Sequence, residues 1–105
     1  MKRYEVHFLA EAITDLDSLF CHIAERASSE VADRYLARVE QFCLSLESFP
    51  MRGTAISGTV PGLRKMGFER RVTILFRVGE DRAEILRILY GGRDVEPPLK
   101  KISRI

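Results

Sequence analysis

The chain has 105 residues and a mass of 12.0 kDa, which suits one domain and leaves no length for a second. Its 46% hydrophobic and 30% charged residues are globular proportions and exclude a disordered chain. The net charge of +2 argues against an indiscriminate nucleic-acid coat, yet it is unevenly spread. Residues 1–60 carry 6 basic and 9 acidic side chains, a net of −3, and residues 61–105 carry 11 and 6, a net of +5. Of the 17 basic residues, 13 are arginine, whose planar donors and stacking faces suit a partner-binding surface.

In chain order, Tyr4, Val6 and Phe8 alternate with Arg3, Glu5 and His7, a period-two strand. From about Ala10 to Glu25, Ile13, Leu16, Phe20, Ile23 and Ala24 recur at three- and four-residue steps, the stripe of an amphipathic helix. Ser28-Ser29-Glu30 offers a capping hydroxyl and a first-turn acid to a second helix. That helix carries Ala32, Tyr35, Leu36, Val39, Phe42, Cys43 and Leu46 on one face and stops near Phe49-Pro50. The short joint between the two predicts an antiparallel helical hairpin. Residues 50–62 are rich in turn formers and read as one long loop. Leu63 to Phe68 reads as a short strand and Arg71 to Val78 as a longer one, with Val72, Ile74, Phe76 and Val78 on one face. Gly79-Glu80-Asp81 is a hairpin turn. The return strand, Ala83 to Tyr90, sets Leu86, Ile88 and Tyr90 on one face and Ile85, Arg87 and Leu89 on the other. The tail over 94–105 contains Pro97-Pro98 and reads as extended or frayed.

These elements predict an α+β fold: an N-terminal strand, an antiparallel helical hairpin and an antiparallel β-meander, packed as a two-layer sandwich. The helices can cover one sheet face only. The other is expected to display Arg71, Leu75, Arg77, Ile85, Arg87 and Leu89, a half-apolar, arginine-studded surface that is unusual to leave in water. The expected cover, if it is not a binding site, is the C-terminal tail or a second copy of the chain.

No stretch approaches the roughly 18 apolar residues of a spanning helix, and the N-terminus shows no apolar signal region. Cys21 and Cys43 both fall in apolar helical patterns and read as small buried hydrophobes. With no C-x-x-C or Cys/His cluster, neither a metal nor a cofactor is expected. The expected location is a reducing cytoplasm.

Several blocks, in order, carry a resemblance. They are Ala12-x-x-Asp15-Leu16, Ile23-Ala24-Glu25, Ala32-x-x-Tyr35-Leu36, Phe49-Pro50-x-Arg52-Gly53, Pro61-Gly62-Leu63-Arg64, Phe76-Arg77-Val78 and Arg87-Ile88-Leu89-Tyr90-Gly91-Gly92-Arg93-Asp94. Together, from about Tyr4 to Asp94, they resemble the ParE branch of the RelE/ParE toxin superfamily. The resemblance implies the toxin of a bacterial type II toxin–antitoxin module, neutralised by a ParD-like antitoxin that itself binds operator DNA, so that contact with DNA is only indirect. ParE-type members are associated with inhibition of DNA gyrase; RelE-type members cleave messenger RNA in the ribosome.

The branches differ in chemistry. Metal-independent RNA cleavage needs a base for the 2′-hydroxyl, an acid for the leaving oxygen and cations for the phosphate charge. RelE-like nucleases commonly show Gly-His-Arg-Arg-Asp-x-Tyr after the last strand. By that alignment Gly92 stands where the histidine would be and Glu96 where the tyrosine would be. His7 and His22 read as surface or structural residues, and Tyr90 as a buried aromatic beneath the helices. The expected action is therefore binding and inhibition of an enzyme rather than catalysis. The alternatives are a ribosome-dependent endoribonuclease and a detoxified member that only partners the antitoxin. The expected target- or antitoxin-binding residues are Arg64, Arg71, Leu75, Arg77, Ile85, Arg87, Leu89 and Arg93. Ile56 to Gly67 is a candidate clamp region, where an edge strand exposes backbone for strand addition, although it can equally be a plain connector.

Overall fold

Strand β1 (Glu5–Phe8) runs through the single residue Leu9 into helix α1 (Ala10–Arg26) in the computed structural model, which describes residues 2–58 and 60–91. The expected tail and Arg93 lie outside the described residues. No side chain caps α1; the Leu9 N–H donates instead to the Ile85 carbonyl at 3.0 Å, so the sheet itself anchors the helix start. Helix α2 (Ser29–Leu44) begins as its sequence implies, with the Ser28 hydroxyl accepting from the Val31 N–H at 3.1 Å. It ends a turn earlier than the proline suggests, passing into a 3₁₀ turn over Ser45–Glu47.

The segment expected as one long loop contains a two-residue strand, β2 (Thr54–Ala55). Strands β3 (Leu63–Phe68), β4 (Val72–Val78) and β5 (Arg82–Tyr90) follow as the expected antiparallel meander. The sheet order is β1-β5-β4-β3-β2, and β1 pairs parallel to β5, so the sheet is mixed. A parallel neighbour needs a long connection, and here the helical hairpin and most of the meander supply it.

The main core lies between the helices and the sheet. Leu16, Leu19, Val39, Cys43 and Leu46 meet Val72, Ile74, Phe76, Ile85 and Ile88 there. Phe76, Ile74 and Ile85 are fully buried.

A β-bulge between β4 and β5 corrects the expected faces. Leu75 opposes Arg87 while Phe76 opposes Ile85, so Leu86 is one residue more than its partner strand supplies. The extra residue resets the alternation. Ile85 is buried in the helix-side core rather than displayed on the far face, and Leu86 joins the far-face cluster rather than the helices. Tyr90 packs beside His22 of α1, ring centroids 4.9 Å apart, but is exposed rather than buried.

The far face is not open either. Leu63, Leu75 and Leu86 form a second cluster, and Leu9, Ile56, Val60 and Leu89 pack against it. Leu75 is fully buried. The cover comes in part from the connection that carries Ile56 and Val60 back over the sheet.

The β3–β4 connection is three residues, Glu69-Arg70-Arg71, and bends at Glu69-Arg70, where the Arg71 N–H donates to the Phe68 carbonyl at 3.1 Å. Both turn residues are left-handed, φ 50° and 63°. Such primed turns match the twist of a hairpin but normally take Asn-Gly, because a side chain in this region is sterically disfavoured. The Arg38 guanidinium on α2 donates to both Glu69 carboxylate oxygens, at 3.2 and 3.1 Å, and fastens the tip to the helix layer.

Candidate interaction surface

The expected site residues disperse into distinct environments. Arg77 lies opposite Glu84 across β4–β5 and forms an ion pair with it, and Arg82 approaches the same carboxylate at 3.6 Å. The Arg77 guanidinium, then Arg82, hold the Glu84 carboxyl below the usual carboxylate range. Arg87 makes a bidentate pair with Asp15 of α1, Nε to Oδ2 at 2.8 Å and Nη2 to Oδ1 at 2.9 Å. That hydrogen bond to Asp15 raises the Arg87 pKa further. Arg64 donates through Nε to the Arg52 carbonyl at 2.8 Å and ties the approach to β2 onto β3. Ile85 and Leu75 are buried, and Leu89 is half-buried on the far-face cluster. Among the described residues of the expected set, only Arg71 stands exposed, at the end of the sheet in the β3–β4 connection. The arginine-studded open face is therefore replaced by arginines engaged with carboxylates and carbonyls.

Asp15 does more than pair with Arg87. Strand β1 covers β5 only as far as Ile85, so the outer edge of β5 beyond it lacks a strand neighbour. The Ile88 N–H there donates to Asp15 Oδ2 at 2.8 Å. One carboxylate thus satisfies a guanidinium and a backbone donor on consecutive residues.

What remains for recognition is a set of grooves, one of which reaches into the expected clamp region at Lys65 to Gly67, while others run along helix residues expected in the core. One lies along the helical hairpin, where Phe8, Ile13, Leu16, Phe20 and Leu36 form an apolar floor between Asp17 and Glu40; Ile13 is 49% exposed. A second, of about 530 Å³, follows β3 beyond the end of β2 and is lined by Phe42, Arg52, Thr54, Lys65, Gly67 and Thr73 among others. A third, of about 490 Å³, shares Phe42 and Arg52 with it and continues past Phe68 to Arg38 and Glu69. The Arg52 guanidinium sits over the Phe42 ring at 4.7 Å and separates the two. At 100° per residue Ile13, Leu16, Phe20 and Ile23 fall within about 80° of one another, an ordinary core-facing stripe, so nothing in the sequence marked Ile13 as exposed. Nothing in the sequence linked Phe42 and Arg52 to β3.

The cysteines also part company. Cys43 is buried and its thiol is pushed up to about 12 by burial, whereas Cys21 is exposed, correcting the expectation that both are internal. Among the described residues no group of three or more His, Cys, Asp or Glu is placed to hold a metal ion, and no helix is long and apolar enough to cross a membrane.

Comparison with known proteins agrees with this architecture. A search of curated protein sequences finds no match. Among solved structures, the chain resembles one from the chromosomal ParDE toxin–antitoxin system of P. aeruginosa, with 25% identity, a TM-score of 0.72, and 84% of this chain and 96% of that chain covered. It shares its fold with a chain of the toxin–antitoxin complex RelBE2 from Mycobacterium tuberculosis, at 24% identity and a TM-score of 0.65, covering 88% of this chain and 95% of that one. Residues 6–95 match the profile of the ParE toxin of the type II toxin–antitoxin system parDE, and the chain belongs to that family.

Proposed function

We infer that this ParE-family chain acts by binding and inhibiting DNA gyrase, and that a ParD-like antitoxin holds it inactive in a hetero-oligomer. The observation that carries binding over catalysis is the state of the sheet arginines. A nuclease needs free cations around the scissile phosphate. Arg77 and Arg87, which the nuclease reading would use, are each tied to a carboxylate, Glu84 and Asp15. The surface that remains includes two mainly apolar grooves with charged rims and a mixed one along β3, which suits a protein partner. On this reading the protein acts in the cytoplasm and meets operator DNA only through its antitoxin.

The test is gyrase supercoiling measured with and without the purified chain. Inhibition with accumulation of a cleaved DNA–gyrase complex is the expected result. Unimpaired supercoiling and no cleavage complex at saturating protein would refute the gyrase assignment. Specific messenger cleavage on translating ribosomes would move the chain to the RelE-type activity instead.

A further inference from the structure

The outer edge of β3 is half covered. Strand β2 pairs with it only at Lys65 and Arg64. The chain leaves the edge at Gly53, whose left-handed φ of 69° and close approach to the Lys65 carbonyl (an added Cβ would lie 1.9 Å from that oxygen) end the pairing there. Outward-facing main chain alternates along β3. The Leu63 carbonyl faces outward and accepts from the Ile56 N–H at 2.9 Å, so Lys65 and Gly67 face outward too. β2 serves the first two and stops. The N–H and C=O of Gly67 are left without a strand partner among the described residues.

Gly67 is not explained by the fold. Its φ is not left-handed, and a Cβ added there meets nothing closer than the Val72 carbonyl oxygen at 3.9 Å. A side chain would fit and would favour the strand. A glycine inside a strand without a steric reason marks a place where another backbone comes close.

The groove beside this edge has a definite character. Arg52 and Lys65 line it and Arg38 stands at its far end; among the described residues Glu69, already held by Arg38, is the only carboxylate lining either half. Phe42 and Phe68 supply its apolar wall. Bases are poorly served, because the Phe42 face carries Arg52, and Phe68 is packed by Phe42 at 5.1 Å and by Tyr35 at 5.9 Å.

We propose that the free edge of β3 at Gly67 receives an extended, acidic segment of the antitoxin, which adds as a strand and places one large apolar side chain against Phe42 and Phe68. The proposal rests on the antitoxin reading above and names the seat it uses. Main-chain pairing supplies affinity, and the apolar pocket and Arg52, Lys65 and Arg38 supply direction.

The test uses the full chain, amide hydrogen exchange by NMR and a synthetic peptide alternating Asp and Val about a central Phe. The acidic peptide is expected to protect the Gly67 N–H and to shift Lys65 and Thr54 while leaving Ile88 unmoved. Methylating alternate peptide nitrogens should weaken binding by at least ~10-fold, because the strand ladder is lost. The Arg52→Glu, Lys65→Glu double variant should do the same through charge. Gly67→Val should keep the thermal midpoint and still lose about 10-fold in affinity. Gly67 exchanging as in the free chain with peptide bound, or Gly67 protection that grows with protein concentration alone, or protection by a single-stranded RNA oligomer in place of the peptide, each overturns the proposal. A co-expressed antitoxin separates the two levels. If it forms a tight complex in which Gly67 still exchanges freely, the seat is wrong and the antitoxin reading stands; if no complex forms, that reading fails, and the proposal with it.

Discussion

Replacing Asp15 by alanine removes the acceptor that joins α1 to β5 at three points: two guanidinium donors of Arg87 and the Ile88 N–H. Ile88 is 3% exposed, so its stranded N–H finds little water and costs about 1–3 kcal/mol. The bonds to Arg87 are charge-assisted, but its side chain is 21% exposed and recovers part of its hydration, leaving a further loss of about 1 kcal/mol. Asp15→Ala should therefore destabilise by about 2–4 kcal/mol, and Asp15→Asn, which retains one acceptor, by about half as much. Urea unfolding followed by far-UV circular dichroism measures both, with the denaturant slope unchanged. In the same variants the Ile88 amide should exchange faster while the Ile74 amide, deep in the sheet, follows only global stability. A loss below ~0.5 kcal/mol for Asp15→Ala would refute the reasoning, since that is the size of an exposed ion pair alone.

Three further outcomes follow from particular contacts. Arg70→Gly should raise stability by about 1 kcal/mol, because the φ of 63° then carries no side-chain penalty; a loss in urea unfolding would show that Arg70 makes a compensating contact. A thiol reagent at pH 8 should label only Cys21 in the native protein and both cysteines in denaturant, since burial holds Cys43 protonated; two rapid native equivalents would contradict this. The folded pKa of Glu84 lies below its unfolded value, so the pair with Arg77 adds stability above the unfolded pKa near ~4.3 and loses it as pH falls through the folded value. Glu84→Gln should cost about 1 kcal/mol at pH 7 and progressively less as the pH falls below ~4.3, and a cost that does not fall with pH would exclude the linkage.

How much of this was legible in the chain depends on whether a segment marks its own phase. In β4, Thr73 and Arg77 alternate with Val72, Ile74 and Phe76, and the buried face was read correctly. In β5 the run Ile85-Leu86-Arg87-Ile88-Leu89 is apolar on both sides, because both faces of the sheet are covered there. Inserting one residue at Leu86 then leaves no polar misfit to betray it, and Ile85 was assigned to the wrong face. The helical hairpin was legible from its stripes, and the Ser28 cap from its chemistry. The pairing of β1 with β5, and of Asp15 with Arg87 across 72 positions, was not, since only the closed fold brings those residues together.

The same distinction changes what the charge asymmetry means. An excess of five positive charges in the C-terminal half suggests a cationic sheet face, yet the structure engages those arginines one by one: Arg64 with a carbonyl, Arg77 and Arg82 with Glu84, Arg87 with Asp15. Two of the blocks that carry the family resemblance, Ala12-x-x-Asp15-Leu16 and the one that opens at Arg87, meet in a single clamp, and two more, through Arg52 and Arg64, fasten β2 to β3. Those motif positions therefore build the scaffold. On the proposed binding reading, specificity for a partner also draws on residues that none of the motifs name. These are Ile13 and Phe20 on the hairpin and Phe42, Lys65 and Phe68 beside β3. A surface divided in this way lets related chains keep one fold while the grooves are reshaped for different partners, because substitutions at half-exposed groove positions cost far less stability than breaking Asp15 from Arg87.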